Sequence, residues 1–480
     1  MSNPAGNTLR IATVRLSALD PTSGEPLYRQ LYWRIRKAIN AGLLKPGDRV
    51  PAARALAKEL GLARGTIDSA YSLLISEGYL QASGQAGTRV ALGLSGKTTS
   101  PPACAMTQTA PLVAIRQQSA VLPFQMGVPA LDVFPRKVWA QISTRCARST
   151  QPQHMAHPSV YGLQALRSAI ATYLQVARGI SCSPAQVFVT GGYRETLALI
   201  AQALLAPGDQ VLVEDPCYPP TRRLLEHLHI SPIGVAVDPD GLCVSQAIDA
   251  GHNARAAIVT PAHQSPLCVS LSLPRRLALL EWAERQHAWI VEDDYDGEYR
   301  YVSRPLPALK SLDREGRVLY SGTFSKVLFP GMRLAYLVVP DSQVKRFEQT
   351  CHTFQGGCPE LNQAIVATFM VEGHFARHIQ RMRKLYSERR VMAVDGLKSV
   401  LGERVQIDAN PGGMHLILRL DVHQSDRAMV QRMRQAGLFA EALSEWQQRE
   451  EKPSGLLLGF ANIDSVATAQ ALGRRILALM

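Results

Sequence analysis

No run of apolar residues in this 480-residue chain reaches the roughly 18 that a helix needs to cross a bilayer, which argues against a helical membrane protein. The opening stretch, MSNPAGNTLRIATVRLSALD, lacks the apolar core of a secretory leader, so the expected location is the cytoplasm. The eight cysteines stand apart, without a CxxC pair or a His/Cys cluster at metal spacing. Reduced thiols are expected, not a disulfide framework or a zinc site. No internal repeat is visible. Negative charge is also in short supply: 52 Lys and Arg face 39 Asp and Glu, a net of +13. The deficit is uneven, because residues 1–92 hold 12 basic against 6 acidic side chains. A basic N-terminal unit points to a polyanionic partner.

What is present is ordinary globular material, with 46% hydrophobic and 19% charged residues in a length suited to about two to four domains. Three regions separate. Residues 1–92 carry short helical patterns and a glycine-rich end. Residues 93–120, rich in Ser, Thr, Pro, Ala and Gln, show no periodicity and read as a linker between domains. From residue 121 to 480, short apolar strands such as QVFVT, QVLVED, ARAAIV and HAWIVED alternate with amphipathic helices. That alternation predicts an α/β domain on a mainly parallel sheet.

In the basic unit, Leu27, Leu31, Ile35 and Ile39 recur four apart on one face of a helix begun by Pro26. A short helix with Leu56 and Leu60 inward is broken by Gly61. A second helix over about 63–77 turns Ile67, Tyr71 and Leu74 inward. Two helices around a glycine turn form a helix-turn-helix, and QASGQAGTRV reads as a hairpin wing. Arg64 and Thr66, at the start of the second helix and off its apolar face, are placed for a major groove. Arg54 can reach phosphate or a guanine edge, and Arg89 on the wing the backbone or minor groove. The segments PGDRVPAARALA, LARGTIDSAY and EGYL resemble the GntR winged-helix family. Ala52 and Ala63 replace hydroxyl residues of that pattern and Val50 replaces a leucine, so the family's target sequence does not carry over.

The third region centres on GTFSKVLFPGMRLAY. A lysine in an apolar pocket, Lys326, has a lowered pKa and can form a Schiff base. Pyridoxal phosphate chemistry asks for four more things, and the chain offers a candidate for each. Asp293, ending an apolar strand, suits the pyridine nitrogen, and Tyr295 the ring oxygen. The backbone amides of Gly192, Tyr193 and Arg194, opening a helix, suit the phosphate. Tyr218 suits stacking on the ring. Thr323, Ser325 and Arg333 around the lysine would complete a phosphate cup. The sharpest rival for Asp293 and Asp294 is a magnesium site.

Taken in order, SVYGLQALRSAIATYL, LAPGDQVLVEDPCY, TPAHQSP, IVEDDYDGEYRY and SGTFSKVLFPGMRLAY resemble fold-type I, class I/II aminotransferases. With the N-terminal unit, the chain is similar over nearly its whole length to the MocR/GabR subfamily, in which a winged helix is fused to an aminotransferase-like domain. The resemblance implies pyridoxal phosphate on Lys326, with Asp293, Tyr295, Tyr218 and Arg333 in the roles above. It places His263 or Gln264 near the ring oxygen. It also implies a head-to-tail homodimer in which Tyr161 reaches the partner subunit's phosphate. The arginines that grip a substrate carboxylate in the family fall at Pro220 and, by alignment, Leu456, and Cys268 stands where a glycine is usual. The expected function is a regulator binding double-stranded operator DNA and sensing pyridoxal phosphate or an amino compound, with control of vitamin B6 metabolism as one fitting role. The alternative is an active aminotransferase with an accessory DNA-binding domain.

Overall fold

The computed structural model describes residues 9–11, 14–16, 19–20, 23–84, 87–92, 121–249, 253–301, 307–408, 412–421, 423–448 and 454–480. The expected linker, 93–120, lies outside them. Two compact units divide at Gln117/Gln118.

The first unit opens with a small antiparallel hairpin, β1 (Leu9–Ile11) and β2 (Val14–Leu16). Helix α1 (Leu27–Asn40) follows and buries Leu31, Ile35 and Ile39. Leu27 is only half-buried, and Tyr28 packs on the core beside them. Helix α2 (Ala53–Leu60) ends at Gly61, whose φ of 63° is the left-handed stop that glycine adopts without strain. Helix α3 (Arg64–Ser76) buries Ile67, Ala70, Tyr71 and Leu74. The N-caps of α2 and α3 are Ala52 and Ala63, which supply no side-chain bond to the helix start. An alanine there costs about 1 kcal/mol against serine. The wing is β3 (Leu80–Ala82) paired antiparallel with β4 (Thr88–Val90).

The second unit is built on an eight-stranded sheet. In chain order its strands are β5 (Val187–Thr190), β6 (Gln210–Asp215), β7 (Ser231–Asp238), β8 (Gly241–Leu242), β9 (Ala254–Val259), β10 (Trp289–Asp294), β11 (Val318–Thr323) and β12 (Ala335–Val338). They lie in the order β5-β12-β11-β10-β9-β6-β7-β8. β11 through β7 run parallel, whereas β12 is antiparallel to both its neighbours. The central strands are mostly apolar because both faces are covered. In β6, Val211 and Val213 enter one core cluster and Leu212 the opposite one. Two helices leave the strand ends that matter below: α4 (Tyr193–Leu204) after β5 and α5 (Pro219–His227) after β6.

A smaller antiparallel sheet follows, with β13 (Gln406–Asp408), β14 (His415–Arg419), β15 (Glu441–Ala442) and β16 (Gly455–Gly459) in the order β13-β14-β16-β15. Helices α6 (His374–Leu401) and α7 (Val466–Leu477) share its core. The segment 124–127 crosses the end of β16, where the Gly459 amide donates to the Phe124 carbonyl at 2.9 Å. A Cβ on Gly459 would stand 2.4 Å from the Gln125 carbonyl oxygen, so only glycine permits the crossing.

Candidate functional site

Parallel strands end on one edge of the sheet, and the residues just past those ends enclose a cavity of about 580 Å³, a size suited to a small organic ligand. Lys326 reaches it from the turn after β11 and donates a hydrogen bond to the Gly127 carbonyl at 3.2 Å. A Cβ on Gly127 would lie 2.2 Å from the lysine Nζ, so the glycine makes room for the amine. Burial pulls the Lys326 pKa down, although Asp296, Glu441 and Asp293 oppose the shift. A larger share of unprotonated amine makes it a better nucleophile.

Asp293 and Asp294 are neighbours on β10 and therefore point to opposite faces. Asp293 lines the cavity. Its carboxyl pKa is held well above the usual range, first by burial and then by the charges of Asp294, Glu214 and Asp296. Asp294 points away, paired with Arg178 at 2.9 Å and accepting the Tyr320 hydroxyl at 2.6 Å. The two cannot share an ion, and among the described residues no group of three acidic, His or Cys side chains is arranged to hold a metal.

At one end of the cavity Arg333 adopts a left-handed φ of 51°, and its guanidinium lies against Gly192 at the start of α4. A Cβ on Gly192 would stand 2.9 Å from Arg333 Nη2. Thr323, Ser325, Tyr193 and Arg194 border the same end, which joins a helix N-terminus, hydroxyls and a guanidinium. Such an end suits a phosphate. Tyr193 donates to or accepts from Thr221 at 2.8 Å, and its ring lies 6.1 Å from that of Tyr218. Tyr161 is not among the residues bordering this cavity; its hydroxyl contacts His352.

Several expected residues stand off the cavity wall. Gln264 is buried and turned away, donating to the Pro216 carbonyl at 2.7 Å and to Glu214 at 3.3 Å. His263 stands one layer behind the wall, with Nδ1 3.1 Å from the Tyr295 hydroxyl and 3.0 Å from Asp296. Tyr295 itself does line the cavity. Leu456 points into the core shared with α6 and α7. Strand alternation gives the cavity side to Leu457, which packs with Trp446 and Met126, two of the lining residues. Pro220, in the first turn of α5, does not line the cavity.

The far end is made by residues that the sequence did not single out: Met126, Met414, His415, Glu441 and Trp446. The Trp446 indole N–H donates to Glu441 at 3.1 Å, and its ring centroid lies 5.6 Å from that of Tyr218. The segment carrying Trp446 is bound to the end of β6 by Cys217 N–H to the Trp446 carbonyl, 3.0 Å, and Gln448 N–H to Asp215, 2.9 Å. On the cavity wall, Glu214 accepts from the Thr260 hydroxyl at 2.5 Å, and burial raises its carboxyl to about 7. Cys268 holds a left-handed φ of 61°, the conformation that explains an expected glycine, and its Sγ lies 3.4 Å from His415.

In the N-terminal unit Arg54 and Arg64 are exposed, and Arg64 sits 3.3 Å from Asp68 one turn on. Thr66 is half-buried. Arg89 is tied back, donating to the Gly47 carbonyl at 2.9 Å. Arg49, overlooked in the sequence, lies against the wing glycine Gly87.

Comparisons with known proteins agree with this division. The family "Bacterial regulatory proteins, gntR family" matches residues 27–90, and "Aminotransferase class I and II" matches residues 120–457. An archaeal alanine:glyoxylate aminotransferase superposes with a TM-score of 0.69 at 25% identity, over 75% of this chain and 90% of that one. The probable rhizopine catabolism regulatory protein MocR of Rhizobium meliloti is 34% identical across 93% of this chain and 92% of its own length. The pyridoxine biosynthesis transcriptional regulator PdxR of Corynebacterium glutamicum is 33% identical across 93% and 94%. These relatives cover more than nine-tenths of the chain, whereas the aminotransferase covers three-quarters of it, and so the chain belongs to the MocR/GabR subfamily of GntR-type transcriptional regulators.

Proposed function

We propose that the second unit binds pyridoxal phosphate and that the first binds operator DNA, with the cofactor or an amino effector setting DNA affinity. The observation that carries the cofactor reading is the convergence on one cavity of Asp293, from strand β10, with Lys326 and Arg333, from the connection between β11 and β12. The fit is chemical as well as spatial. Asp293, its pKa raised by burial and neighbouring acids, gains from a cationic ring nitrogen beside it. Glycines at 127 and 192 clear space where the amine and the guanidinium stand. Lys326 would hold the cofactor covalently, Asp293 its ring nitrogen and Tyr295 its ring oxygen. Tyr218 would stack on the ring. Arg333, Thr323, Ser325 and the amides of 192–194 would take the phosphate. When bound, the cofactor would supply an electrophilic carbon that primary amines attack. His263, linked to Tyr295 and Asp296, fixes the orientation of the phenol that faces the ring.

Arg54, Arg64, Thr66 and Arg89 are the proposed DNA contacts, and Arg49 is added to them because it stands at the wing. Dimerisation, with Tyr161 completing the partner subunit's phosphate site, follows the family pattern. The pyridoxine regulator among the relatives supports control of vitamin B6 metabolism as one role. The competing reading, a turning-over aminotransferase, is disfavoured by the absence of an arginine at Pro220 and at Leu457. Purified protein should be yellow, or become so with added pyridoxal phosphate, and Lys326→Ala should abolish the visible band. A protein that takes up no cofactor would sink the reading, and rapid multiple turnover with a common amino-donor and keto-acid pair would favour the competitor.

A further inference from the structure

The cations at the cavity are accounted for by position. Arg333 stands at the phosphate end, Lys326 at the covalent position, and Arg194, exposed at the start of α4, lies beside the Tyr218 hydroxyl. His415 is held by the Pro266 carbonyl at 2.8 Å and by Cys268. The far wall instead offers a carboxylate, Glu441, fixed by the Trp446 indole. Two aromatic faces, Trp446 and Tyr218, lie beside it, their planes inclined at 50°. Burial raises the Glu441 carboxyl, with Trp446, His415, Arg434 and Lys326 opposing. Arg434 is not among the residues bordering the cavity. A carboxylate with one anchoring donor and aromatic neighbours is a receptor for an ammonium group. For a second carboxylate it is a repulsive one.

We infer that Glu441, with Trp446 and Tyr218, selects an amino effector carrying a second cationic group, such as a diamine, in place of an α- or ω-amino acid. This rests on the cofactor reading above, since the first amine is the one that meets the cofactor at Lys326. The second amine docks at Glu441.

The test uses the full-length, cofactor-loaded protein and two probes of similar length, 1,4-diaminobutane and 4-aminobutyrate. Binding is followed by calorimetry and by the change in visible absorbance. The diamine should bind about tenfold or more tightly than the amino acid. Glu441→Gln should erase most of that ratio, and Glu441→Arg should invert it. Cofactor uptake by each variant checks its folding, and Trp446→Phe, which removes the indole donor, supplies a milder second variant expected to lower the ratio. Equal affinities, a preference for 4-aminobutyrate (the result expected if Arg194 grips a carboxylate), no binding of the diamine, or a ratio unmoved by Glu441→Gln would each overturn the inference. A coloured protein that prefers the amino acid overturns this inference alone. A colourless protein that takes up no pyridoxal phosphate overturns both readings.

Discussion

The two ends of the cavity are built on different terms. The phosphate end comes from turns that follow strands of the large sheet, and each of its side chains stands within a few residues of a strand end. The far end comes largely from the small sheet, through Glu441 and His415, and from the Trp446 segment bound down on β6. The first carries positive charge and hydroxyls; the second carries a carboxylate and aromatic rings. The cofactor and the effector proposed above would thus meet separate pieces of chain, and the difference between them can be tested by substitution.

Asp293→Ala is expected to have the largest effect. It should weaken cofactor binding by about a hundredfold or more, as loss of a buried charged partner does, whereas Trp446→Ala should leave cofactor affinity within a few-fold; fluorescence titration with pyridoxal phosphate measures both. Equal losses would abolish the distinction between the ends. Arg333→Ala should follow at about 30-fold, with Arg333→Lys recovering only part, because an ammonium lacks the planar fork. Gly459→Ala strikes where segment 124–127 crosses β16. Its Cβ meets backbone rather than a yielding side chain, so a loss of about 1–3 kcal/mol in thermal or denaturant unfolding is expected, and both ends should suffer together. The smallest effect concerns Glu214. Its carboxyl is raised from 4.5 to about 7 by burial, so the folded state holds a proton that the unfolded state has released. Its contribution to stability is therefore lost as pH rises from about 4.5 through 7. Glu214→Gln should flatten that slope by an amount on the order of 1–3 kcal/mol across the window, measured by unfolding at successive pH values.

Much of the phosphate end was legible because the signals were local. A strand followed by a glycine turn, or by Asp293 or Lys326, fixes a side chain near the crevice without knowledge of the rest of the fold. The same locality explains the reading of α2, Gly61 and α3, where helical spacing separates the buried Ile67 and Tyr71 from the exposed Arg64. The far end was not legible. Glu441 lies in a strand of two residues, too short to show a period, and meets Tyr218 only after more than 200 residues of intervening chain. Leu456 and Leu457 differ by one position, and one position in a strand reverses the face. Gln264 followed a strand as the true lining residues did, but Glu214 and the Pro216 carbonyl offered its amide stronger partners than the cavity. Arg89 was rightly placed on the wing, yet nothing local foretold its bond to Gly47.

The short strand carrying Glu441 has an evolutionary consequence. β15 lies on the small sheet and contributes no residue to the proposed anchoring of the coenzyme, so a change at the half-buried Glu441 spares those anchors, whereas Ala442, Leu443 and Trp446 are buried and changes there would cost stability. On the inference above, substitution at position 441 alone would change which metabolite the protein answers to and leave the proposed anchor Lys326 in place.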